Sequence, residues 1–348
     1  MFTEYFKVDP EKPDIAMLTK AADMLRQGQL VAFPTETVYG LGANGLDEQA
    51  VKTIFLAKGR PSDNPLILHI DSVEKMTTLA AVVPANASAL VERFWPGPLT
   101  VVVKRQQVVP DVVTGGLDTV AIRLPSSLVA RELIRLAGVP IAAPSANTSG
   151  RPSPTTAQAV LDDMEGKVAA VIDAGSCDIG VESTVVDCTT PVPTLLRPGG
   201  ITYEMLVEVL GEVEIDPTLA GAQAIPRSPG MKYTHYAPVA PLFLVEAEPA
   251  VASMLVRREI EQALAAGKTV GAIVSSELAT SMLPQVITAV YGRRDDTDAI
   301  AANLYEALRS FDNTAVDVIY AEGIDGRGLG LAVMNRLRKA AGYHIIRD

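Results

Sequence analysis

The chain has 348 residues, more than one hydrophobic core ordinarily holds, which points to two domains. Thirty basic against 41 acidic residues give a formal net charge of −11, and an apolar share of 48% with 20% charged excludes disorder and collagen-like repeats. The negative balance argues against tight non-specific nucleic-acid binding and leaves only brief or local RNA contact open.

Two cysteines, Cys177 and Cys188, no C-x-x-C pair and three histidines can build neither a disulfide framework nor a Cys/His zinc cluster. Both thiols read as small buried hydrophobes. The opening M-F-T-E-Y-F-K-V-D-P-E-K has acids where a secretory signal needs basic and then apolar residues. No apolar run reaches the ~18 residues of a membrane span, so a cytoplasmic protein is expected.

Ile15, Leu18, Ala22 and Leu25 recur at helical spacing and Gly28 supplies a stop, predicting a first helix over 14–27. A short buried strand over 30–33 ends at Pro34, and Asp47 can cap a helix whose inner face holds Ala50, Val51, Ile54 and Phe55. Further strands are expected at 66–70, 99–103, 120–123, 139–143, 169–172 and 184–187, with helices near 86–94, 127–136 and 155–163. This alternation reads as one α/β domain over 1–214. The proline-rich stretch 215–241, with its run S-P-G-M-K-Y-T-H-Y-A-P, reads as an extended linker. Strands at 242–245, 269–274 and 316–320 and helices near 249–266, 297–309 and 328–341 then give a smaller α/β domain over 242–348.

Neither a Walker P-loop nor a G-x-G-x-x-G turn is present. Polar and cationic loops stand instead at strand and helix ends, where open α/β folds place ligands. In A-K-G-R-P-S-D-N-P-L-I-L-H, Lys58 and Arg60 are two apart and Pro61 biases Arg60 toward extended backbone, so both cations can lean one way and suit a polyphosphate. A pair of cations favoured by the helix dipole reads equally well. Asn64 and His69 follow on the same stretch.

The loop A-P-S-A-N-T-S-G-R-P-S-P offers Ser145, Asn147 and Ser153 as a dense hydrogen-bonding surface or, more simply, as a helix cap. Arg123 ends an apolar strand and needs an anion partner, either an internal carboxylate or a ligand. A fourth polar site joins 181–184 to Arg197 in L-R-P-G-G. No Ser-His-Asp set, activated cysteine or paired acids stand out, so positioning and charge neutralisation remain as the chemistry.

The motifs F-P-T-E-T-V-Y-G-L-G-A at 33–43, K-G-R-P-S-D-N-P-L-I-L-H at 58–69, A-P-S-A-N-T-S-G at 143–150 and E-S-T-V-V-D at 182–187 resemble the YrdC-like domain over about residues 10–210. With the H-Y-A-P linker and the trailing domain, the whole chain is similar to the long, two-domain form of the threonylcarbamoyl-AMP synthase family. The resemblance implies a twisted, open α/β sheet with a concave cavity, followed by a Rossmann-like α/β domain. It implies condensation of L-threonine, bicarbonate or CO2 and ATP to threonylcarbamoyl-AMP and pyrophosphate, for the t6A base beside the tRNA anticodon.

Carried over by motif, the family's catalytic core is Lys58, Arg60, Ser145 and Asn147. ATP is held by Arg60, Asn64, Thr119, Ser145, Ser153, Arg197 and Tyr236. Threonine is held by Thr37, His69, Arg123, Ala143 and Ser183. Magnesium would travel on the ATP phosphates with no protein ligand assigned, since the cavity contributes few carboxylates beyond Glu36 and Glu182. The linker is implied to be a flap, with Tyr236 and Lys232 reaching back to the nucleotide. Downstream partners would be the proteins that transfer threonylcarbamoyl to tRNA, with at most weak tRNA contact and no membrane. The rival readings are a structured-RNA-binding module without catalysis and a carbamoyltransferase using carbamoyl phosphate.

Overall fold

A computed structural model of the chain describes residues 2–62, 64–220 and 236–348. It divides into two compact units, one of residues 1–149 and 153–232, the other of 150–152 and 233–348.

The first unit is built on a mixed sheet of eleven strands among the described residues: β1 Glu4–Lys7, β2 Val31–Phe33, β3 Gly40–Asn44, β4 Ile67–His69, β5 Leu99–Lys104, β6 Thr119–Arg123, β7 Ile141–Ala142, β8 Ala170–Asp173, β9 Thr184–Asp187, β10 Thr194–Arg197 and β11 Glu214–Ile215. Their order is β1-β8-β2-β3-β7-β4-β6-β5-β9-β10-β11. Asp14 caps helix Ile15–Arg26 by accepting from the Ala16 and Met17 amides, and Asp47 caps Glu48–Lys58 through Gln49 and Ala50. Helices Ile15–Arg26 and Leu128–Ala137 lay Leu18, Ala22, Leu25, Leu133 and Ile134 over Val31, Phe33, Ile141 and Ile172 of the sheet. Each such aliphatic side chain contributes about 1.5–3 kcal/mol by leaving water.

Strands β1, β3, β10 and β11 were not expected from the sequence. Gly40–Asn44 is poor in strand-forming side chains, yet it pairs antiparallel with both β2 and β7. A Cβ at Gly42 would lie 2.9 Å from the Phe33 ring and from Ile141, so glycine is what lets this strand lie flat under those side chains.

The second unit carries β12 Leu242–Val245, β13 Val270–Ser275, β14 Ile287–Gly292, β15 Val318–Glu322 and β16 Ile345–Ile346, all parallel, in the order β14-β13-β15-β12-β16. Helices Pro249–Ala265, Thr297–Arg309 and Gly330–Ala340 make the crossovers such a sheet requires. Strands β14 and β16 and the short helix Ser276–Ala279 are the elements here that the sequence reading missed. Among the described residues no helix is long and apolar enough to cross a membrane.

Candidate active site

Three neighbouring strands of the first sheet bring polar side chains to one level of one face. His69 pairs in register with Arg123, and Arg123 with Thr100, so the three sit side by side across β4, β6 and β5. Two residues further along the same face, Ile67, Ala121 and Val102 belong to an apolar cluster with Val185 and Leu196. A polar row on an apolar sheet needs partners, because each unpaired buried donor or acceptor costs about 1–3 kcal/mol.

The partners come from loops. Arg123 Nη2 donates to Glu36 Oε1 at 2.7 Å, both side chains being under 10% exposed. Of the two partners the sequence left open for Arg123, the internal carboxylate is therefore present. Arg123 Nε and His69 Nδ1 remain buried with no hydrogen-bond partner among the described residues. Burial, and then the adjacent Arg123 charge, push the His69 imidazole down to about 3, so it is neutral at physiological pH.

Four loop segments converge beside this row. The Tyr39 amide donates to Pro154 O, the Ala146 amide to Tyr39 O, and the Ile179 and Gly180 amides to Glu36 O and Thr37 O. Gly199 lets the R-P-G-G turn close on 182–184, since a Cβ there would lie 2.2 Å from Glu182 O. Arg197 donates from Nε to Ser183 O at 3.0 Å and from Nη2 to Ser183 Oγ at 3.1 Å. Ser153 Oγ donates to Glu182 Oε1 at 2.6 Å. Ala143 lies buried at the end of β7, its amide bonded to Ile67 O.

Lys58 ends its helix with Nζ donating to Ser145 O at 2.5 Å and Asn147 O at 2.6 Å, and Ser145 Oγ bonds Asn147 Oδ1. Arg60 takes different partners, Asn64 O at 3.3 Å and Pro65 O at 3.2 Å, with its guanidinium 6.0 Å from the Phe55 ring. The two cations thus meet separate sets of backbone carbonyls. Gly59 is the cause: its φ of 62° reverses the chain between them, and the Arg60 amide turns back to Phe55 O. Arg60 also borders a cavity of about 570 Å³ lined by Lys52, Phe55, Leu56 and Val112.

Asn64 is 1% exposed, and neither its amide nitrogen nor its oxygen has a partner among the described residues. Thr119 begins β6, half-buried and opposite Lys104. Tyr236 belongs to the second unit, where its ring lies 5.3 Å from that of Tyr305 and under the Arg336 guanidinium. Lys232 and the whole S-P-G-M-K-Y-T-H run, 228–235, lie outside the described residues.

Both cysteines are buried, and burial raises both thiols, Cys188 to about 12, so neither supplies a thiolate. Among the described residues no group of three or more His, Cys, Asp or Glu side chains could hold a metal ion. Sequence reasoning overlooked Thr35 and Thr100. A strand alternating apolar and polar at its first residues was the one available signal for Thr100.

This architecture, a mixed sheet with converging polar loops followed by a parallel α/β unit, defines the two-domain class built on a YrdC-type domain. A family model described as telomere recombination, covering Sua5, YciO and YrdC, matches residues 23–199, and one described as the threonylcarbamoyl-AMP synthase C-terminal domain matches 201–342. Threonylcarbamoyl-AMP synthases from Pyrococcus abyssi and Bacillus subtilis are 53% and 49% identical, over 94% and 95% of this chain and 94% of each relative. The crystal structure of P. abyssi Sua5 complexed with L-threonine superposes with a TM-score of 0.95 at 50% identity, covering 99% of this chain and 100% of that one. The chain belongs to the threonylcarbamoyl-AMP synthase family.

Proposed function

We propose that the protein is an L-threonylcarbamoyladenylate synthase, condensing L-threonine, bicarbonate or CO2 and ATP to threonylcarbamoyl-AMP and pyrophosphate. The product would serve t6A formation in tRNA. One observation carries the reading most directly: His69 Nδ1, Arg123 Nε and both amide atoms of Asn64 are buried polar atoms without a partner among the described residues, at positions the family gives to threonine and ATP. Such atoms are rare in folded proteins and favour a missing ligand.

In this reading 1–214 is the catalytic domain, 215–241 a flap and 242–348 an accessory Rossmann-like domain. Arg123, Thr37, His69, Ala143 and Ser183 enclose threonine, with the Arg123 guanidinium meeting its carboxylate. Asn64, Thr119, Ser153 and Arg197 hold ATP beside Arg60 and Ser145. The neutral His69 ring can accept or donate one hydrogen bond without adding charge to the pocket.

Threonine's uncharged amine adds to CO2 with loss of a proton, or to bicarbonate with loss of water, and the resulting carbamate oxygen attacks the α-phosphorus in line as the bond to the departing pyrophosphate breaks. Lys58 and Arg60 offset the charge that develops on the phosphates, while Ser145 and Asn147 fix the geometry. No side chain acts as a nucleophile. Magnesium would bind phosphate and water oxygens, because Glu36 is engaged by Arg123 and Glu182 by Ser153.

Pyrophosphate release measured with and without threonine and bicarbonate tests the assignment. Release that depends on both is expected. Release that needs carbamoyl phosphate, or none at all, would return the carbamoyltransferase or RNA-binding readings. Removal of residues 226–348 should impair turnover if the linker covers the site, and leave it intact if it is only a tether.

A further inference from the structure

The hydroxyls around the polar row permit a complete hydrogen-bond inventory. Each hydroxyl has one proton to donate and two lone pairs to accept with. Thr35 Oγ1 donates its proton to Val38 O at 2.7 Å, and the Thr37 and Val38 amides, farther off at 3.2 and 3.3 Å, share one of its lone pairs and leave the other open. Its 2.8 Å contact with Thr37 Oγ1 must then carry Thr37's proton. Thr37, fully buried, is left with lone pairs only.

On the other side of the row, Thr100 Oγ1 lies 2.8 Å from Ser183 Oγ, which also accepts from Arg197 Nη2 at 3.1 Å. Thr100 Oγ1 has no other side-chain partner among the described residues, and both residues are fully buried. One proton of this pair is therefore unused whichever way it is oriented. If Thr100 donates to Ser183, both Ser183 lone pairs are filled and its own proton is available to a ligand.

We infer that Thr35 and Thr100 are positioning residues that set the hydrogen-bond polarity of the amino-acid pocket: Thr35 makes Thr37 an acceptor, and Thr100, by donating to Ser183, makes Ser183 a donor. The inference rests on the threonine-binding reading above and extends it to two residues outside the recognised site set. A pocket so poled takes a ligand that offers a proton on one side and an oxygen lone pair on the other. A zwitterionic hydroxy-amino acid does this: its ammonium or hydroxyl proton meets Thr37, and its carboxylate or hydroxyl oxygen meets Ser183. A hydrocarbon side chain of the same shape leaves at least one of these groups unpaired, which is the strongest basis a pocket has for rejecting an isostere.

The test uses the full-length protein and steady-state kinetics of threonine-dependent pyrophosphate release. Thr100→Val keeps the side-chain shape and removes the donor. It should raise the threonine KM by about tenfold, on the scale of one hydrogen bond lost to a ligand, while the ATP KM stays within about twofold. Thr100→Ser should restore the wild-type value. The double variant Thr100→Val/Ser183→Ala should be no worse than Ser183→Ala alone, because Thr100 acts through Ser183.

An unchanged threonine KM in Thr100→Val, equal rises in both KM values, or additive effects in the double variant would each overturn the inference. Should the valine variant fail to fold, Thr100→Ala gives the same comparison. A wild-type protein without threonine-dependent release would remove the functional reading itself, whereas an active wild type with an indifferent Thr100→Val removes only this step.

Discussion

Each unit of the molecule buries a polar cluster on its sheet, and the two clusters are finished differently. In the second unit Glu322, 1% exposed at the end of β15, is fully used: Oε2 accepts from the Ser275 amide at 2.8 Å and from Ser275 Oγ at 2.7 Å, and Oε1 accepts from Arg294. Tyr291 closes the cluster by donating to Glu322 O at 2.9 Å. In the first unit the row His69–Arg123–Thr100 has one strong internal pair, Arg123 with Glu36, and leaves His69 Nδ1 and Arg123 Nε without partners among the described residues. The lesson is one of valence. A closed network ties strands together, and an open one in an equally buried place keeps hydrogen-bonding capacity for something that is not part of the chain.

That contrast can be broken most easily where the effect is largest. Glu322→Ala should lower stability by about 2–3 kcal/mol, since it leaves the buried Ser275 amide and hydroxyl without an acceptor and the half-buried Arg294 without its carboxylate. Urea unfolding measures this, and the folded variant should keep its threonine KM. A Glu322 variant that keeps its stability but loses threonine binding would reverse the roles given to the two clusters.

The pH dependence sharpens the comparison. His69 titrates at about 3 when folded and near 6.5 when unfolded, so only the unfolded chain takes up its proton between those values. The stability this residue permits is full above pH 6.5 and is lost as the pH falls toward 3. At pH 5 the loss is about 2 kcal/mol, at 1.36 kcal/mol per pH unit. His69→Gln should remove that part of the slope. Equal slopes in wild type and variant, compared by denaturant unfolding at pH 7 and pH 5, would show that His69 is not buried in the neutral form.

The smallest expected effect concerns the helix-end cation. Lys58→Ala should cut turnover at least roughly tenfold, about 1.4 kcal/mol, with little change in melting temperature. Because Lys58 also holds the carbonyls of Ser145 and Asn147, a matching loss of stability would place it with the closed networks. Arg60→Ala, whose partners are two other carbonyls, should behave like a ligand-facing residue in the same assay.

Periodicity and capping carried much of the fold. Helices Ile15–Arg26 and Glu48–Lys58 fall where apolar spacing puts them, the second capped by Asp47 as expected. The strands that escaped were those whose pairing comes from elsewhere. Gly40–Asn44 has little intrinsic strand preference and is held by two neighbours, and Glu214–Ile215 is two residues long. At the site, the charged and amide groups stood out because a charge in an apolar strand is conspicuous. Thr35 and Thr100 did not, because threonine is an ordinary strand and turn residue.

The amino-acid sequence by itself determined the long helices and the apolar strands, the motifs that mark the family, and the identities of the polar groups available to a site. It could not determine their pairings, because Glu36 meets Arg123 from 87 positions away, Thr100 meets Ser183 from 83 and Lys58 meets Asn147 from 89. Only strand register and loop closure decide such contacts. They also decide which buried donors and acceptors stay open, since a hydrogen bond is fixed by distances of about 3 Å that no one-dimensional pattern encodes.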